Sequence, residues 1–227
     1  MDRLLSELPE FFSYYNVIFL LKAAGTTLAL SAIGCVLGGL FGALLAVVRT
    51  APGRMVWPAR MLVIVYTEIF RRVPFLVTLM LTFFAFQFSG IDVSTFTVGC
   101  VTVLLIATAF LAEIVRAGLQ SVHATQWDAA AVMGFSHLST IRYVILPQAW
   151  KVILPPAFGF FILFIKDTAL ASYINVAELT YAGKVLNNKG FAAGLTFGTI
   201  LLLYFAISYP LARFGKWLER TLASSRS

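Results

Sequence analysis

The sequence predicts an all-α integral membrane fold with about five transmembrane helices, and three observations predict it. Of the 227 residues, 60% are hydrophobic and 12% charged, which is about half the charge of an ordinary water-soluble domain. The apolar residues gather in runs of about 20 or more, the length needed to cross a hydrocarbon core about 30 Å thick. The basic excess, 17 Lys plus Arg against 10 Asp plus Glu, is scattered between those runs instead of massed on one polar segment, which argues against nucleic-acid binding. Spans with short loops use up the chain, so residues 1–227 read as a single transmembrane domain with no room for a fused ATPase, kinase or nuclease.

Taken in order, the N-terminus from Met1 to Glu10 is acidic where a signal peptide is basic, and the apolar run after it is too long for a cleaved signal, so a short surface segment is expected to remain. The first span covers about residues 17–48. Gly34, Gly38 and Gly42 recur in it every fourth residue, giving one face on which a neighbouring backbone can approach closely. A turn is expected at Arg49-Thr50-Ala51-Pro52-Gly53-Arg54. The second span, about 58–88, carries Glu68, Arg71, Arg72 and Pro74 in its middle, and Pro74 is expected to kink it. The third, fourth and fifth cover about 93–111, 152–173 and 191–214. Cys35 and Cys100 lie inside apolar runs and read as core residues. His123 and His137 lack partners at metal-ligand spacing and read as solvated loop residues.

Orientation follows from the basic residues of the short loops. Arg49, Arg54 and Arg60 join spans 1 and 2; Arg116, Arg142 and Lys151 join spans 3 and 4; Arg213, Lys216, Arg220 and Arg226 follow span 5. With alternating spans these fall on one side, whereas the other side has Arg3, Lys184 and Lys189. The N-terminus is therefore expected outside and the C-terminus in the cytoplasm.

Residues 112–151 form the one long polar connection, and its pattern is helical. Thr125-Gln126-Trp127-Asp128 reads as a capping box, with Thr125 capping the helix start and Asp128 returning the bond. Ala129, Val132 and Met133 then share one apolar face and Gly134 ends the helix. Ser136 starts a second short helix that should end before Leu146-Pro147. Such a hairpin is either a solvated loop or a helix that docks into a groove on a soluble partner.

Asp128-Ala129-Ala130-x-x-x-Gly134 followed by Val144-Ile145-Leu146-Pro147 resembles the EAA loop of importer-type ABC permeases, with Asp in place of Glu and Val in place of Ile. The runs Ala112–Ser121, Lys166–Ser172 and Val176–Thr180 are similar to the polar amino acid branch of that family. The resemblance extends from about Gly25 to Arg220. It implies a multi-pass subunit of the bacterial inner membrane that forms the translocation pathway of an ATP-driven amino acid importer. Implied partners are separate ATPase subunits, a second permease chain, identical or related, and an extracytoplasmic solute-binding protein. Thr125, Asp128, Ala129, Ala130, Gly134, Leu146 and Pro147 would then couple the membrane part to the ATPase. No G-x-x-x-x-G-K-[ST] pattern occurs, so no cofactor is expected on this chain, and ATP and Mg belong to the partner. The chain is not expected to be an enzyme, and no metal or catalytic residues are assigned.

Charges within apolar runs cost about 2.5–3.5 kcal/mol each at a helix centre, so they are usually functional or paired. Glu68, Arg71, Arg72, Lys166 and Asp167 are of this kind. They read either as ion pairs holding spans 2 and 4 together or, with Pro74 and Thr168, as the lining of a polar pathway in which a zwitterion exchanges water for fixed opposite charges. Related permeases typically have Phe-Arg-Gly-Thr-Pro or Phe-Arg-Ser-x-Pro in span 2, whereas this chain has Phe70-Arg71-Arg72-Val73-Pro74. The additional Arg72 is expected to favour solutes with an additional negative charge, unless Glu68 balances it. An ion-coupled secondary transporter would use the same charges, but the inverted repeats usual in that class are not evident.

Overall fold

The computed structural model describes residues 2–223, so Arg226 lies outside the described residues. Among these residues every regular element is a helix. The N-terminal stretch is helical, as α1 (Asp2–Phe11), and its last residue is fully buried, with the Phe11 and Phe191 rings meeting edge to face at 5.2 Å. The first apolar run becomes one helix of 37 residues, α2 (Tyr14–Thr50), which absorbs Arg49 and Thr50 and confines the expected turn to the residues after them.

The second run is broken. Helix α3 (Trp57–Arg72) and α4 (Phe75–Ser89) are separated by Val73-Pro74, where the chain bends by 113°. Proline denies its predecessor the helical region, and Val73 is accordingly extended at φ −81°, ψ 132°. The third run is α5 (Thr95–Gln120), which continues nine residues beyond the expected end at 111. After α6 (Ala124–Val132), a continuous helical stretch begins at His137, with α7 (His137–Thr140), a π-helical turn at Ile141–Ile145, α8 (Leu146–Asp167) and a 3-10 stretch at Thr168–Ile174. Helix α9 (Leu179–Asn188) precedes the last run, α10 (Ala193–Ala223). Among the described residues, four stretches are long and apolar enough to cross a membrane, or five if the bent α3–α4 pair counts as one.

Leu146-Pro147 therefore does not end a helix. A proline inside a helix lacks a donor and crowds the carbonyl four residues back. The π-helical turn widens the backbone immediately ahead of Pro147, with the Leu146 N–H reaching back to the Ile141 carbonyl, and the helix continues.

Apolar side chains such as Val36, Leu40 and Leu44 on α2 and Leu201, Leu202 and Phe205 on α10 face outward, as lipid-facing residues do. Hydroxyls within these helices bond back to the preceding turn: Thr27 to the Ala23 carbonyl, Ser31 to Thr27 and Thr102 to Val98. These three hydroxyls are thereby satisfied within their own helices, whereas the buried Thr196 and Ser208 hydroxyls of α10 have no hydrogen-bond partner among the described residues.

Two compact units can be distinguished. The first comprises Met1–Ile33, Phe75–Val103 and Phe161–Arg213. Its apolar core joins Phe11, Leu20 and Ala23 to Leu179, Ala182, Leu186, Phe191 and Ile200. Within it lies a fully buried carboxylate, Glu178. It caps α9 by accepting from the Thr180 and Tyr181 N–H groups at 2.9 and 2.7 Å, and the Tyr204 hydroxyl donates to it at 2.8 Å. Burial pushes this carboxyl above the ordinary carboxylate range, and the three donors oppose that shift. Thr27 closes the network by accepting from the Leu179 N–H at 3.2 Å. Glu178→Ala leaves these part-buried donors without their acceptor, so a loss of about 1–3 kcal/mol is expected, read as a lower thermal unfolding midpoint in detergent.

The second unit comprises Gly34–Pro74, Leu104–Phe160 and Phe214–Ser227. Its apolar core joins Ala46 and Leu119 to Ile141, Ile145, Ala149 and Ile153. The glycine face expected on the first span is used here. A Cβ on Gly38 would stand 2.6 Å from the Ala107 Cβ, and one on Gly42 would stand 2.7 Å from the Ala112 backbone nitrogen. Helices α2 and α5 are thus in backbone-distance contact along this face.

Candidate functional site

The polar connection 112–151 contains very little irregular chain. It runs from the last turns of α5 through Ser121–His123 into α6, and then by a short turn into α7. The helix start differs from the expected one. Helix α6 begins at Ala124, which places Thr125 inside it, and the cap is His123, whose Nδ1 accepts from the Thr125 N–H at 3.4 Å and lies 2.9 Å from the Thr125 hydroxyl. Asp128 is exposed and returns no bond among the described residues. A histidine nitrogen does here what the Thr125 hydroxyl was expected to do.

The apolar side chains of α6 divide into two sets. Ala130 is fully buried, and Trp127 packs on the cluster of Ala46, Leu119 and Ile145. The Trp127 ring also stacks on His137 at 5.9 Å, and His137 Nε2 lies 3.4 Å from the Thr50 hydroxyl, so this histidine is half-buried and engaged. Ala129, Val132 and Met133, the expected apolar face, are turned outward, and Val132 and Met133 are 89% and 65% exposed. The helix is seated on one side and bare on the other.

Gly134 ends α6 at φ +78°. The Gly134 N–H donates to the Ala131 carbonyl and the Phe135 N–H to the Ala130 carbonyl, both at 3.0 Å, the paired bonds of a Schellman termination. Only a residue free to adopt the left-handed region closes both bonds without strain. Ser136 then caps α7 as expected, accepting from the Ser139 N–H at 3.3 Å. Leu146 and Pro147 are exposed on the surface of the long helix that follows.

The charges sort into separate groups. Glu68 pairs with Arg72 one helical turn on, at 2.6 Å, with the Arg72 side chain 78% exposed. Arg71 turns to a different acid, Glu113 on α5, at 3.8 Å, and lies over the Phe110 ring. Lys166 and Asp167 end α8 and form no salt bridge among the described residues, while the buried Thr168 hydroxyl donates to the Ile165 carbonyl. Lys166 is exposed and Asp167 half-buried.

Glu113 is the acid that sequence reasoning passes over. Arg49 on α2 donates to it at 2.6 Å and Arg116 one turn ahead donates through Nε at 3.1 Å and through Nη2, so with Arg71 it faces three guanidiniums. The available signal was its i+3 spacing from Arg116. Arg49 and Arg71 are far away in sequence and gave none.

Residues 38–224 match the family model described as binding-protein-dependent transport system inner membrane component. The chain is 32% identical over 206 residues to the probable amino-acid ABC transporter permease protein YckA of Bacillus subtilis, covering 90% of this chain and 89% of that one. It is 34% identical over 205 residues to the glutamine transport system permease protein GlnP of Escherichia coli K12, covering 89% and 92%. Among solved structures, an amino acid ABC transporter crystallised with histidines contains a chain that superposes with a TM-score of 0.83 at 28% identity, covering 96% of this chain and 98% of that one.

Proposed function

The chain belongs to the family of binding-protein-dependent transport system inner membrane components, and from that premise we infer how its helices divide the work of an importer. It is a multi-pass inner-membrane permease subunit of an ABC amino acid importer. Permeases of this kind work with an ATPase and a solute-binding protein.

The observation that carries the finer reading is the state of α6. A nine-residue helix seated through Trp127 and Ala130, ended by a left-handed glycine and carrying bare Val132 and Met133, has the form of a knob for a groove on a soluble protein. In this reading the partner is the ATPase, which holds ATP and Mg, and closure of its groove drives alternate opening of the membrane pathway. Ala129, Val132 and Met133 make the contact, while His123, Trp127, Ala130 and Gly134 hold the helix in place. The N-terminus lies outside and the C-terminus in the cytoplasm, a second permease chain, identical or related, completes the pathway, and an extracytoplasmic binding protein delivers a polar amino acid. Glu68, Arg71, Arg72, Pro74, Lys166, Asp167 and Thr168 are assigned to the pathway.

Uptake by the reconstituted complex should stop when ATP is depleted while ion gradients are clamped. Gradient-driven uptake by this chain alone would instead identify an ion-coupled secondary transporter. Solute charge preference provides a second test. Arg72→Gly leaves Glu68 unbalanced, changing the local charge from zero to −1, so the ratio of acidic to neutral amino acid uptake should fall by about five-fold, the effect of about 1 kcal/mol at a water-exposed site. An unchanged ratio in reconstituted vesicles would remove Arg72 from the pathway.

A further inference from the structure

We propose that Glu113 is a positioning residue of transport, which makes the ends of α2, α3 and α5 move as one body with α6. Arg49 is in the last turn of α2 and Arg71 in the last turn of α3, where cations suit the negative end of a helix dipole. Both converge on Glu113, and Arg49 also reaches the Thr67 hydroxyl on α3 at 3.4 Å. Arg116 joins Glu113 to Gln120, so the last two turns of α5 are cross-linked up to the point where the chain leaves for α6. Phe110, beneath Arg71, stacks on Phe160 of α8 at 4.9 Å.

The charge arithmetic makes Glu113 the keystone. Three guanidiniums meet one carboxylate, and the side chains of Arg49, Glu113 and Arg116 are 14%, 21% and 23% exposed. Three like charges at a site this enclosed repel one another unless the carboxylate is present. Trp127 and Ala130 seat α6 on the same unit. With Glu113 in place, a displacement of α6 carries α5 and, through the two arginines, α2 and α3. Without it, the end of α3 loses the Arg71 tie to α5, and α2 is left to its apolar and glycine-face packing on α5.

The inference rests on the reading of α6 as the ATPase-docking helix. The test uses the full complex in proteoliposomes, with ATP hydrolysis and uptake of an equimolar mixture of labelled amino acids measured on the same vesicles. Glu113→Gln should co-purify with the ATPase in the wild-type ratio and hydrolyse ATP within about two-fold of wild type, while amino acid imported per ATP falls at least ten-fold. Glu113→Asp should restore at least half of that ratio. An unchanged ratio in Glu113→Gln, or equal losses in the Gln and Asp variants, overturns the proposal. Should Glu113→Gln not assemble, Arg49→Lys decides, because it keeps the charge but loses the guanidinium fork: imported amino acid per ATP should fall several-fold, and an unchanged ratio overturns the proposal. A wild-type complex that imports without ATP would overturn the docking reading instead.

Discussion

Gly42→Ala is expected to lower the unfolding midpoint of the detergent-solubilised chain, and Gly42→Val to abolish recovery of folded protein, whereas Gly39→Ala is tolerated. The three differ in what the new carbon meets. At Gly42 a Cβ falls 2.7 Å from the Ala112 nitrogen and 3.0 Å from the Thr108 carbonyl oxygen, both backbone atoms of α5. Neither can rotate away, so the helices must separate. Overpacking of this kind costs about 1–3 kcal/mol for small additions and more where the backbone must move. At Gly39 the nearest atom is the end of the Leu111 side chain, 3.7 Å away, an ordinary contact. Size-exclusion profiles of the three variants, with thermal scans, check this. Equal stability of Gly42→Ala and Gly39→Ala would show that the approach of α2 and α5 is looser than described.

The second large effect is expected at Gly134. No atom lies within 4 Å of a Cβ built there, so space is not the obstacle and φ +78° is. A left-handed residue with a side chain costs about 1–2 kcal/mol, and β-branching adds to the strain. Gly134→Val should therefore open the two terminating bonds and misdirect the chain between α6 and Ser136. In the reconstituted complex, ATP-driven uptake should fall about ten-fold or more, since each 1.4 kcal/mol against the docking-competent form is a factor of about ten. Gly134→Asn provides the control, because asparagine enters the left-handed region more readily, and it should retain most uptake. If both variants transport equally, the termination geometry is not used in coupling.

What could be read in the sequence depended on distance along the chain. The apolar runs were legible because span length is a one-dimensional property, and Pro74 was legible because proline acts on its immediate neighbour. Gly38 and Gly42 declared a packing face through their spacing, although α5 as its partner did not follow from it. The cap of α6 was misplaced because a histidine nitrogen is an uncommon cap, and Thr125-x-x-Asp128 offered a better-known pattern one residue inside the helix. Pro147 suggested a stop because a π-helical turn leaves no mark in composition. The charges inside the apolar runs could be picked out by their cost but not sorted, because Arg71 at i+3 and Arg72 at i+4 both lie within one helical turn of Glu68. Only the fold sends Arg71 to Glu113 and leaves Arg72 with Glu68.

Val132 and Met133 have a consequence for the life of the chain before it meets any partner. Two bare apolar side chains at the end of a water-facing helix are a sticky patch, tolerable when covered and a liability when not. A newly inserted copy without its ATPase would present that patch to chaperones and proteases. If α6 is the docking helix, the surface that transmits force in the finished transporter is thus the one left uncovered in the unassembled chain.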